Sequence, residues 1–412
     1  MTVTDFLPLV EKIRKRIGSW TGRFLSYAGH LQLINSVIRS LTNFWMADFR
    51  LPSGCIKEID RICSAFLWSG PELNGRKAKI SWSEVCRTKQ EGGLGLRPLK
   101  EVNLVSVLKL LWRVLSAKSL WVNWIKIYLI RKSSIWMIKE STQGGSWMWR
   151  KILKCRELAK SFYKVEVRNG SETSFWYENW SSLGCLHDTL GDGGYIDLGI
   201  SATATVEDSR NHRRRNHRVQ FLNTIEVEIE KFKRNWSQEE DISLWKNDKG
   251  KYKKSFSTKD TWLCIREKHV LYSWHKMIWF KHATPRDAFV SWMAVRGVGS
   301  VMRGTLRDQY TTRWESLIQM ISGGNSGWSK VKIFTVRYMF QSAIHMLWRE
   351  RNGRRHGEPP SPVAVLIKRL DKNMRNIFLV IQRRGDCEYK KGLENWFESR
   401  REVISVRVRA DA

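Results

Sequence analysis

At 412 residues and 42% hydrophobic content, the chain has room for two or three domains and enough apolar side chains to give them cores, which excludes disorder throughout. Lys and Arg number 72 against 40 Asp and Glu, and the resulting net charge of +32 exceeds what solubility needs and points to a polyanion. No two of the seven cysteines are separated by two residues, Asp5 and Glu11 interrupt any apolar leader, and no apolar run approaches the length of a bilayer span. A disulfide framework, a zinc knuckle and a membrane partner are therefore not expected, and the reading is a soluble protein of the nucleus or cytoplasm.

In chain order, residues 1–131 read as helical. Val10, Ile13 and Ile17 recur at helical spacing, as do Leu31, Leu33, Ile34, Val37, Ile38 and Leu41 between Ser26 and Phe44. Ser53 after Pro52 opens a third stripe, Ile56, Ile59, Ile62, Cys63, Phe66 and Leu67, which stops at Gly70 and Pro71; Cys55 and Cys63 share its face as core residues. Gly92-Gly93-Leu94-Gly95 lacks the spacing of a nucleotide fingerprint, so a tight turn before a helix over Leu99–Ser116 is preferred to a phosphate cradle.

Residues 132–182 form a Trp-rich helix and a β-hairpin. Trp121, Trp124, Trp136, Trp147 and Trp149 crowd one region, either as stacking platforms for bases or, the preferred reading, as packing. Tyr163–Arg168 alternates, Asn169-Gly170 signals a two-residue turn, and Thr173–Tyr177 reads as the returning strand. Residues 183–235 read as a linker, of low hydrophobicity from Leu183 to Val206, followed by the basic run RNHRRRNHR at 210–218. His212 and His217 could pass for metal ligands, but the cationic neighbours and the absence of nearby cysteine favour a solvated segment on phosphate.

A second hairpin, Ile242–Trp245 and Lys251–Ser255 about Asp248-Lys249-Gly250, leads into residues 236–300. There Ser257, with Asp260 three residues on, caps one helix, and Thr284-Pro285 opens another that Gly297 ends. Residues 301–412 form a basic helical tail. Its first stripe is Val336, Met339, Phe340, Ala343, Ile344 and Leu347; its second is Val365, Leu366, Leu370, Ile377, Phe378 and Ile381. The fold class is mainly α with small β-hairpins (α+β), a helical N-terminal half and a separate helical C-terminal half.

Several of these stretches share residue orders with one family. Phe-Ser-x-Lys-x-x-Trp, Trp-His-x-x-Ile-Trp and Pro-Arg-x-Ala-Phe-x-x-Trp-x-Ala, between Phe256 and Ala294, resemble the zinc-binding domain that follows the reverse transcriptase in plant non-LTR (LINE-type) retroelement polyproteins. Trp20 with the run Leu25 to Val37, Leu51-Pro52, Phe66-Leu67-Trp68 and Gly92 to Arg97 resemble the segment just downstream of the polymerase palm. Trp348 to Asn352 is similar to an element that follows the zinc loop. The family's loop carries Cys-x-x-Cys, then His and Cys, which the resemblance implies would hold zinc. Here residues 297–317 contain no cysteine, so no metal ligand and no cofactor is assigned.

The chain has no Asp-Asp pair for two-metal polymerase chemistry, no Gly-x-Ser-x-Gly elbow and no His-Glu-x-x-His helix. The tail after Asn325 is helical and basic rather than the strand-rich carboxylate scaffold of a ribonuclease H, so no catalytic residue is assigned and no enzyme is expected. The implied function is a remnant of a retroelement polyprotein, without its polymerase site, that still contacts RNA or DNA nonspecifically. Arg210, Arg213, Arg214, Arg215, Arg218, Arg349 and Arg351 are its candidate phosphate contacts. A domesticated protein-interaction module and a degenerate gene product with no selected function are the alternatives.

Overall fold

The computed structural model describes residues 4–20, 25–131, 134–138, 144–293, 295, 318, 321–322, 328–359 and 361–398; Gly297 and the segment 297–317 lie outside them. In chain order the helices are α1 (Leu7–Gly18), α2 (Tyr27–Leu33), α3 (Arg39–Asp48), α4 (Ser53–Ser69), α5 (Trp82–Val85), α6 (Leu99–Ser116), α7 (Leu120–Trp124), α8 (Trp147–Leu153), α9 (Arg156–Lys160), α10 (Leu186–Leu190), α11 (Gly193–Leu198), α12 (Gln220–Asn235), α13 (Thr258–Ile265), α14 (His275–Ile278), α15 (residues 285–293), α16 (Lys330–Arg355) and α17 (Val363–Arg383). Among the described residues, strands β1 (Tyr163–Glu166), β2 (Ile242–Lys246) and β3 (Tyr252–Lys253) form one antiparallel sheet in that order. The architecture is mainly helical with a small β component, as the sequence pattern predicts.

The chain groups into two compact units, each assembled from separate stretches: Met1–Lys15, Ile38–Asp60 and Pro98–Lys268 in one, Arg16–Val37, Arg61–Arg97 and His269–Ala412 in the other. In the first unit α6 presents Leu108, Leu111 and Trp112 to Ile152 and Leu153 of α8 and to Phe162, Tyr163, Val165 and Trp245 about the sheet. Trp245 stacks on Phe162 at 5.4 Å between ring centres, and its indole N–H donates to Thr261 Oγ1 at 3.0 Å. A large aromatic is thus buried with its polar atom satisfied. A second cluster joins Phe175, Trp176, Leu186, Leu198 and Val206 to Leu222, Ile225, Ile229 and Phe232 of α12. The span Leu183–Val206, read from its low hydrophobicity as a linker, carries α10 and α11 and places Leu186, Leu198, Ile200 and Val206 in this cluster, while Ile196 stays exposed. Each fully buried side chain of this size contributes roughly 1.5–3 kcal/mol.

The first expected hairpin is corrected. Gly170 does turn at φ +78°, but β1 pairs with β2, Tyr163 opposite Trp245 and Glu166 opposite Ile242, and Thr173–Tyr177 forms no strand beside it. The Asp241 carboxylate accepts from the backbone N–H of Arg168 (2.7 Å) and of Gly170 (2.9 Å) and from Thr173 Oγ1 (2.6 Å), which bends the segment away. Phe175 and Trp176, adjacent and both fully buried, cannot both face one side of a strand whose side chains alternate. The second hairpin forms as expected, with Gly250 at φ +76° and Asn247 Oδ1 accepting from the N–H of Lys249 and of Lys251.

In the second unit, Trp292 of α15 donates its indole N–H to the Gly92 carbonyl at 2.8 Å, and Phe289 stacks on Tyr27 at 5.6 Å. Another cluster gathers Phe334, Tyr338, Met374, Phe378, Ile381 and Trp396. The face that α16 buries differs from the predicted stripe. Met339 and Leu347 are exposed, whereas Phe334, Tyr338, Gln341, Ser342 and His345 are buried. Polar partners set this rotation: His345 Nδ1 lies 2.9 Å from Asp287 Oδ1, and the Gln341 amide donates to the carbonyls of Met277 and Ile278.

Candidate nucleic-acid interface

The basic run 210–218 is anchored in the first unit by α12. That helix buries Leu222, Ile225, Ile229 and Phe232, and the same face carries Glu226, only 1% exposed. A carboxylate removed from water needs partners, and the run supplies two. His212 Nε2 lies 2.9 Å and His217 Nε2 3.0 Å from Glu226 Oε1, so both imidazole N–H groups donate to one oxygen. Burial by itself raises the Glu226 carboxyl, but the hydrogen bonds from His212 and His217 outweigh it and hold the group below the usual carboxylate range.

The backbone is fixed at both ends as well. The His217 N–H donates to Asn223 Oδ1 at 2.8 Å and its carbonyl accepts from Asn223 Nδ2 at 2.9 Å, while the His212 carbonyl accepts from Lys233 Nζ at 2.7 Å. Between and beside these anchors Arg210, Arg213, Arg214, Arg215 and Arg218 are all exposed. The Arg210 guanidinium sits 3.9 Å from the centre of the Trp236 ring, which orders it over an aromatic face. Arg215 lies against Gly199, where an added Cβ would meet Nη1 at 3.0 Å. The structure thus brings five of the seven candidate arginines onto one loop. Arg349 and Arg351 are exposed on α16, in the other unit.

The two histidines are neither solvated nor arranged as metal ligands: each is spent on Glu226. Among the described residues no group of three or more His, Cys, Asp or Glu is placed to hold a metal ion. Glu226 and Asn223 were missed as functional supports, although an acid on an otherwise apolar helix face, just after a run containing two histidines, was a readable signal. The five crowded tryptophans divide. Trp136 and Trp149 are buried and Trp147 is half-buried, whereas Trp121 and Trp124 are 39% and 50% exposed, so the packing reading holds fully for Trp136 and Trp149 and not for the exposed pair. The N–H groups of Gly92, Gly93, Leu94 and Gly95 all donate to backbone carbonyls, of Lys89, Thr88, Val85 and Arg87, which makes the glycine run a turn with no free amides for phosphate.

No family model and no solved structure matches the chain. It is 30% identical over 184 residues to an Arabidopsis thaliana protein named as a putative ribonuclease H protein, a match spanning 43% of this chain and 29% of that relative. It is also 26% identical over 143 residues to an uncharacterized mitochondrial protein of the same plant, spanning 34% of this chain and 92% of the relative. These likenesses support the coarse reading of a plant retroelement-related chain. They also overturn one expectation. The sequence shows no recognisable catalytic motif, yet one relative bears the name of an enzyme, so the expectation of no enzyme activity is not supported. Among the described residues no helix is long and apolar enough to cross a membrane.

Proposed function

We propose that the chain derives from a non-LTR retroelement polyprotein and grips RNA or DNA through its phosphates, without reading sequence. On this reading residues 1–131 correspond to the segment after the polymerase palm and residues 236–300 to the approach to the zinc loop. The observation that carries the proposal is the loop 210–218, where five exposed arginines flank two histidines anchored on a buried carboxylate. Guanidinium groups on a held backbone lose less freedom on meeting phosphates than those on a loose tail, and release of counterions from the nucleic acid drives association. Polarisation titrations of labelled duplex and single-stranded oligonucleotides at several salt concentrations test it. Log affinity should fall linearly with log salt, by about 0.9 per phosphate engaged on duplex and about 0.7 on a single strand. A flat salt response, or no binding in dilute salt, contradicts it.

A further inference from the structure

The first unit contains a cavity of about 350 Å³, at the small end of ligand sites, whose floor is the buried Leu110, Ile125, Trp149 and Ile152. Its wall is aromatic and open: Trp121 and Trp124 of α7 line it and are both exposed. Each ring is already held by a neighbour. The Arg113 guanidinium lies 5.6 Å from the centre of the Trp121 ring, and Tyr128 packs on Trp124 at 5.6 Å between ring centres. Exposed indoles forgo the burial that an aromatic side chain ordinarily gains, and rings ordered in advance lose little freedom on meeting a flat partner. The charge about the cavity selects which flat partner. Arg113 is part of the wall, and α8, which supplies Trp149 and Ile152, also carries Arg150 and Lys151, with Lys154 just beyond. Arg50, next to Phe49 of the wall, is close enough to Lys151 to join Lys154 and Arg150 in lowering its ammonium, after burial, below the ordinary lysine range. Asp48 is the acid of the wall, one carboxylate against these five cations. A purely apolar peptide leaves such a rim unused, whereas an unpaired nucleotide offers a flat base to the tryptophans and phosphates to the cations.

We propose that this cavity takes one unpaired base of a single-stranded nucleic acid against Trp121 and Trp124, with the flanking phosphates on Arg113 and the cations of α8. This rests on the nucleic-acid reading above and adds a preference for single strands that the arginine loop does not supply. Polarisation titrations of the full chain at one salt concentration test it with a short oligothymidylate, an abasic strand of the same length and a duplex. The thymidylate should bind about five- to a hundredfold tighter than the abasic strand, and Trp121→Ala/Trp124→Ala should erase that ratio while leaving duplex affinity within about twofold of the parent. Changing Arg213, Arg214 and Arg215 to Ala should weaken binding of both strands and keep the ratio. If the double tryptophan variant fails to fold, photocrosslinking of a 5-bromouracil strand to the parent, mapped by mass spectrometry, takes its place and should mark Trp121, Trp124 or Met148 of the wall. Equal affinity of the parent for thymidylate and abasic strands, a ratio that survives in the folded variant, or crosslinks confined to other residues overturns the proposal, while duplex binding by the arginine loop would stand. Absence of binding to all three in dilute salt overturns the nucleic-acid reading itself, and the proposal with it. An apolar dye, anilinonaphthalene sulfonate, that fills the cavity and is not displaced by thymidylate assigns it to an apolar protein segment and also overturns the proposal.

Discussion

Two arginine-rich stretches of this chain are alike in sequence and unlike in construction. At 210–218 the arginines alternate with two histidines whose rings are sunk onto Glu226, and Asn223 holds the backbone of His217 from both sides. At 349–351 the arginines ride on the exposed side of α16, whose buried polar contacts are made by Gln341 and His345 instead. The difference teaches that a dense run of positive charge is not by itself a loose segment. A charged run can be folded when a buried acid on a neighbouring helix takes up its histidines, and the arginines between them are then presented from a fixed backbone.

The sharpest way to break this contrast is Glu226→Leu. Both imidazole N–H groups lose their acceptor while still enclosed, and stability should fall by about 3 kcal/mol in denaturant unfolding. Oligonucleotide affinity should fall in the same variant although no arginine has been touched. A change below about 0.5 kcal/mol with unaltered binding would show that the clamp does not organise the loop.

Asn223→Ala removes two hydrogen bonds to one residue and should cost about 1–2 kcal/mol in the same measurement. Its effect should appear locally, as faster amide exchange across residues 212–218 than in Arg349–Arg351. Uniform exchange in both stretches would erase the distinction drawn here.

Acid gives the smallest and most specific effect. The folded Glu226 carboxyl lies below its unfolded value of about 4.3, so its contribution is complete above that pH and is lost as the pH falls through the lower folded value. Unfolding free energy compared between pH 6 and pH 3 should drop more in the parent than in Glu226→Gln, which has no proton to gain there. Parallel losses in the two proteins would remove Glu226 from the account.

How much could be read in advance follows from how local each signal was. The bounds of α6 match the predicted Leu99–Ser116, and Ser257 caps α13 by accepting from the Asp260 N–H, because apolar period and cap chemistry lie within a few residues. The stripe Ile56, Ile59, Ile62, Cys63, Phe66 and Leu67 of α4 is buried for the same reason. The first hairpin was not legible, since Asp241, which bends residues 168–173, lies about seventy residues downstream. The buried side of α16 was hidden by its polarity: a helix that encloses Gln341, Ser342 and His345 while exposing Leu347 cannot be oriented by hydrophobicity alone. At the candidate interface the arginines were visible as composition. Their scaffold was legible only as an acid on an apolar helix face; which groups it holds was not, because Glu226 meets its partners from nine and fourteen residues away.

The central claim is that the clamped loop, rather than the net charge at large, grips the phosphates. Salt titrations of duplex binding by the parent, by Arg213→Ala/Arg214→Ala/Arg215→Ala and by Arg349→Ala/Arg351→Ala test it most directly, because all three proteins remain strongly basic. The account predicts that the triple change reduces the slope of log affinity against log salt by about 2 to 3, and that the double change reduces it by less than about 1. An unchanged slope in the triple variant, or a larger loss in the double, would contradict it.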